Sequence, residues 1–71
     1  MQLVINGNER DFPALSSVSK ISDLIVALDL KTDRVALEHN GTIIHRDAWP
    51  ETRINSGDKF EIVHFVGGGR R

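Results

Sequence analysis

Asn-Gly occurs twice in the 71 residues, at Asn6-Gly7 behind an apolar run and at Asn40-Gly41 behind an alternating one. The dipeptide accepts positive φ at both central positions of a tight turn, the geometry that joins two antiparallel strands. Leu3-Val4-Ile5 therefore reads as a first strand and the stretch from Glu9 to Phe12 as its partner. Pro13 ends that partner, because proline has no N–H to give a ladder. Val35 and Leu37, alternating with Ala36 and Glu38, form a third strand, and Ile43-Ile44 begins the return. A turn at Ser56-Gly57-Asp58 leads into the most apolar strand of the chain, Phe60 to Val66.

Between the two hairpins the period changes. Val18, Ile21, Leu24, Ile25 and Leu28 recur at steps of three and four, which makes one apolar helical face. Ser19 is the expected N-cap, and Asp23 sits favourably in the early turns. Trp49, followed by Pro50, reads as an aromatic at the edge of the core. The order is strand, strand, helix, strand, strand, strand.

Composition narrows the function classes. A chain of this length supports one domain with a core near the lower limit for unaided stability. It has no cysteine, so disulfides, thiolate metal sites and a sulfur nucleophile of its own are all excluded. Nine basic and ten acidic residues leave a net charge of −1 without long runs of one sign, unlike a protein that binds nucleic-acid phosphates. No apolar stretch approaches a membrane span, and the N-terminus lacks the pattern of a signal peptide. The expectation is a soluble, cytoplasmic protein, monomeric when free.

The order of elements also implies an architecture. One helix between two hairpins must cross one face of a mixed sheet to bury its stripe. The first and last strands then lie side by side in the middle, where a run as apolar as Phe60 to Val66 belongs. This is an α+β, β-grasp (ubiquitin-like) arrangement with about five strands.

Several of these features, in order along the chain, resemble the ThiS family, the sulfur carriers of thiamin biosynthesis. They are "ISDLIVALDL", Asn40-Gly41, Arg46 with Trp49, Gly57-Asp58, and the close "GDKFEIVHFVGGG". The resemblance runs from Met1 to Gly69. It implies a domain over residues 1–66 and a flexible glycine tail over 67–71. Gly67 and Gly68 would lead to Gly69, whose carboxylate a ThiF-like enzyme adenylates with ATP. Sulfur then replaces AMP to give a thiocarboxylate, which donates its sulfur to a thiazole synthase (ThiG-like). The carrier itself needs no catalytic residue, bound cofactor or metal. MoaD-like carriers of molybdenum cofactor synthesis share this chemistry, and a plain ubiquitin-like interaction domain is the reading from another class.

Two features depart from the family pattern. Lys20 stands where these helices commonly open with threonine or serine. Arg70 and Arg71 follow the glycines at which members end, and they are either residues trimmed by a protease or additions made for expression.

The residues themselves suit a carrier. Glycines without side chains can thread a narrow channel and reach a nucleotide phosphate, and three together give reach without fixed direction. His39, His45 and His64 lack the spacing or cysteine partners of a zinc site and read as solvent-facing or edge residues. Asp47, Glu51 and Asp58 lie near turns, where polar residues belong. Ser16, Ser17, Ser19 and Ser22 surround a helix start as caps rather than nucleophiles. "GGG" opens no helix and so is no phosphate loop.

Alternation on the last strand sends Phe60 and Ile62 inward and Val63 and Phe65 outward. On the first strand Val4 points outward. The expectation is that Val4, Val63 and Phe65 merge into one exposed apolar patch beside the tail, a docking surface for a partner.

Overall fold

The computed structural model describes residues 1–65. Strands β1 (Gln2–Ile5) and β2 (Asn8–Asp11) pair antiparallel across Asn6-Gly7, whose φ values are 50° and 83°. Strands β3 (Val35–His39) and β4 (Thr42–Ile43) repeat the device across Asn40-Gly41, at 51° and 88°. Both turns have the positive φ pair that matches strand twist and that asparagine and glycine tolerate. Helix α1 (Ile21–Ala27) lies between the hairpins, and β5 (Lys59–His64) closes the described chain. The sheet order is β2-β1-β5-β3-β4, with β1 and β5 parallel at its centre. The expected β-grasp topology is therefore the observed one.

Helix α1 covers a single face of the sheet. Its buried Ile21, Leu24 and Ile25 share one core with Leu3, Leu37 and Phe60. Trp49 joins the core from a 3-10 turn at Arg46–Glu51, and its indole N–H donates to the Ile44 carbonyl at 2.8 Å. Burying a tryptophan with its one donor satisfied avoids the cost of an orphaned N–H, so the expected core-edge role holds. A second 3-10 turn, Thr32–Arg34, carries the chain into β3.

Both turn asparagines also fasten β5, a role the sequence pattern does not reveal. The Asn6 amide donates to the Ile62 carbonyl (3.1 Å) and accepts the Ile62 N–H (2.7 Å). One side chain thus replaces the strand residue that β1, having turned away, no longer supplies. Asn40 accepts the Lys59 N–H at 2.9 Å, and its own N–H donates to the Lys59 carbonyl at 2.8 Å.

The helix start differs from expectation. Lys20, not Ser19, occupies the N-cap. The buried Ser19 hydroxyl instead accepts the Ser16 N–H (2.9 Å), closing the preceding turn. The carboxylate of Asp23 receives the Lys20 N–H at 2.8 Å, and the Ile21 N–H donates across to the Thr52 carbonyl at 2.9 Å. A neighbouring segment has taken over part of what a capping side chain would do. Val18 consequently precedes the helix and is exposed, rather than standing on its buried face, while Leu28 is half-buried at the C-cap. β5 ends at His64, although the Phe65 N–H still donates to the Arg34 carbonyl at 2.8 Å. Val66 and the residues after it lie outside the described residues.

Candidate functional site

Strand alternation splits β5 into two sets. Phe60 and Ile62 are buried, while Val63 is 61% and Phe65 55% exposed. The outward set meets β3 through the antiparallel register, which sets Val63 opposite Ala36 and Glu61 opposite Glu38. On the edge strand, Ile43 stands opposite Glu38 and is 64% exposed. Val63, Ala36 and Ile43 line one shallow depression, and Phe65, Ala36 and Ile43 line the next. An apolar strip thus runs across β5, β3 and β4 and ends at Phe65. No element of the described chain covers this face, since α1 packs on the other.

Val4 lies away from the strip. Register places it beside Lys59, four residues before Val63 and six before Phe65. At about 3.3 Å per residue, that is about 13 Å and 20 Å along the strand. Outward orientation was readable from alternation, but the offset between parallel β1 and β5 was not. The anticipated patch does not merge across β1. Its other members are Ala36 and Ile43, which alternation on β3 and the strand order would have identified. Gly67, Gly68 and Gly69 lie outside the described residues.

Among the described residues, no three His, Cys, Asp or Glu side chains converge as a metal site would require. His39 departs from the expected exposed or edge histidine. Its side chain is only 13% exposed, its ring stacks on Phe60 at 4.7 Å, and Nε2 lies 2.7 Å from Asp58 Oδ2. The same oxygen accepts the Asn55 N–H at 2.8 Å. Burial pushes the Asp58 carboxyl up. Hydrogen bonds from His39, the Asn55 backbone and the Asn40 amide, together with the charge of His39, outweigh it and hold the carboxyl below its ordinary value. The pair seals the end of the core beneath Phe60. Stacked on Phe60 and bonded through Asp58 to the Asn55 N–H, it is a structural clasp.

The comparisons with known proteins agree with this geometry. The model of the ThiS family matches residues 3–69. The chain belongs to the ThiS family. The sulfur carrier protein ThiS of Bacillus subtilis is 36% identical over 62 residues, covering 87% of this chain and 94% of that protein. A crystal structure of the thiamine biosynthesis protein ThiS from Geobacter metallireducens superposes with a TM-score of 0.81 at 30% identity, over 97% of this chain and all of that one. A thiazole synthase of Paramagnetospirillum magneticum is 42% identical over 69 residues. That match takes in 97% of this chain, which spans only 20% of the synthase's length.

Proposed function

We propose that this ThiS-family chain carries sulfur as a thiocarboxylate on Gly69 and delivers it for thiazole formation in thiamin biosynthesis. The observation that carries the reading is the uncovered apolar strip of Ala36, Ile43, Val63 and Phe65. It ends one residue before Val66 and the glycine run of the sequence. A partner seated on the strip would therefore receive the tail at its own active site. The glycines suit that entry because they present backbone without side chains.

The chemistry requires a free carboxylate. In this sequence the Gly69 carbonyl is an amide to Arg70, so that bond must first be hydrolysed. A ThiF-like enzyme would then join the carboxylate oxygen to the α-phosphorus of ATP, and pyrophosphate would leave. Hydrosulfide from the sulfur source attacks the acyl carbon, AMP departs, and the thiocarboxylate remains. The carrier contributes the acyl group and the docking surface, and the partners contribute the catalysis. A thiazole synthase is the proposed acceptor of the sulfur. The presence of a region like this whole chain within the longer protein named thiazole synthase supports that pairing.

The test compares the 71-residue chain with one ending at Gly69, each incubated with the adenylating enzyme of the same cell. The shorter chain should support ATP–pyrophosphate exchange. With a sulfur source it should gain the mass difference between one sulfur and one oxygen. Equal exchange by the intact longer chain would overturn the proposal.

A further inference from the structure

Glu38 and Glu61 stand directly opposite each other on β3 and β5, on the uncovered face. Among the described residues, neither carboxylate has a cationic nitrogen within 4.0 Å. Lys59, two residues before Glu61 on the same face, forms no ion pair with it. Like charges directly opposite on antiparallel strands destabilise the sheet. Any neutral polar residue would serve an exposed strand position without that cost, so the pairing calls for another explanation.

Its surroundings supply one. Both glutamates border the depression lined by Ala36, Ile43 and Val63. The other end of the same apolar strip has the opposite charge. Arg46 and His45 line the depression that contains Phe65, and the Phe65 N–H is bonded to the Arg34 carbonyl. These cations are only weakly engaged. Arg34 Nε is 3.9 Å from Asp33 with both side chains exposed, and Arg46 reaches only the Thr32 carbonyl, at 3.5 Å. The strip thus runs from two carboxylates to the Arg46 guanidinium, which lines the depression containing Phe65.

We infer that the Glu38–Glu61 pair receives a basic side chain of the activating enzyme. The charge gradient from that pair to Arg46 then sets the direction in which the carrier docks. The occupant is a protein surface with an apolar knob for the strip, a lysine or arginine opposite the glutamates, and a carboxylate opposite Arg46. An approaching cation relieves the cross-strand repulsion, so the contact is worth more in the complex than in the free carrier. Reversed docking would set like charges together at both ends, a penalty that fixes orientation and speeds productive encounter. A nucleic acid fits poorly, because its phosphates would meet the glutamates. This inference rests on the carrier reading above.

The experiment measures binding of the 71-residue chain to its ThiF-like enzyme at several salt concentrations, alongside Glu61→Lys, Arg46→Glu and Glu9→Lys. Glu9 faces Val4, outside the strip, and provides the same charge change elsewhere. Glu61→Lys should melt at a higher temperature than the parent, since Glu38 gains an opposite-charge partner. It should nevertheless bind about tenfold more weakly, mainly through slower association, and with a shallower salt dependence. Arg46→Glu should lose a similar factor, and Glu9→Lys should match the parent. If Glu61→Lys lowers the yield of folded protein, Glu61→Gln should show the same sign with about half the effect, because it removes the charge without reversing it. Parent-like binding by Glu61→Lys, or an equal loss in Glu9→Lys, overturns the inference. If a chain ending at Gly69 is nevertheless activated, the carrier reading survives. If that chain is never activated, the carrier reading itself fails, and this choice of partner fails with it.

Discussion

The two faces of β5, extended by Phe65 just after it, carry apolar residues in comparable number but to different ends. Phe60 and Ile62 lie under α1, 0% and 7% exposed, whereas Val63 and Phe65 face outward at 61% and 55%. Backbone alternation is identical for both sets. What differs is the cover: one helix closes one face, and the described chain brings nothing to the other. Hydrophobicity on the first face stabilises the fold. On the second it is available for a partner, and the cost is a surface that solvent meets directly.

Removing a side chain from the covered face should have the largest effect. Phe60→Ala should destabilise the domain by about 3–5 kcal/mol, combining lost transfer energy with a cavity under α1. Small domains hold only about 5–15 kcal/mol in all, so the variant would be close to unfolding. Urea titration against Val63→Ala provides the contrast, since the latter should shift the midpoint little. Similar losses in the two variants would break the distinction between the faces.

How much of this was legible in the sequence depends on the range of the interaction involved. Asn6-Gly7 and Asn40-Gly41 announce their hairpins because the φ requirement is local. Ile21, Leu24 and Ile25 announce their helix because its period is local too. From these, and from the apolar β5, the placement of β1 beside β5 in the middle of the sheet followed. Most of the failures are of longer range. Ser19 looks like a cap in sequence, but Ser16 uses its hydroxyl and Thr52 supplies an acceptor for the first helical turn. Val4 has the right orientation for the strip but the wrong register for it. Neither the bonds from Asn6 to Ile62 nor the stacking of His39 on Phe60 leaves a local signature, because each joins residues far apart in the chain.

The covered face has one margin that α1 does not close, and acid should open it. His39 lies over Phe60 and is held by Asp58. The folded Asp58 carboxyl titrates below its ordinary value near 3.8. Between the folded and unfolded values the unfolded chain binds more protons, so stability rises with pH there. The contribution is fully present above about pH 4 and is lost as pH falls through the folded value. Asp58→Asn should cost about 1–3 kcal/mol at neutral pH, the range for a hydrogen bond to a charged group and its stranded partners. The melting temperatures of parent and variant should converge as pH drops below about 4. A gap of constant width down to pH 2 would show that the carboxylate charge is not what holds His39 over the core.

The uncovered face should show the smallest effect on stability and a clear effect on association. Phe65 is more than half exposed and stands outside the core cluster, and its backbone bond to the Arg34 carbonyl does not depend on the side chain. Phe65→Asp should therefore stay within about 0.5 kcal/mol of the parent, as exposed substitutions generally do. The same change places a carboxylate at the cationic end of the strip, beside Arg46. There it removes apolar contact area and neutralises the polarity proposed to orient docking. Binding to the adenylating enzyme should weaken, with a dispersed amide spectrum confirming that the fold persists. A folded variant with undiminished affinity would remove Phe65 from the docking surface. A collapsed spectrum would mean that the side chain supports the core after all. The loss of affinity without loss of fold is the outcome expected of a residue that this domain leaves for another protein to cover.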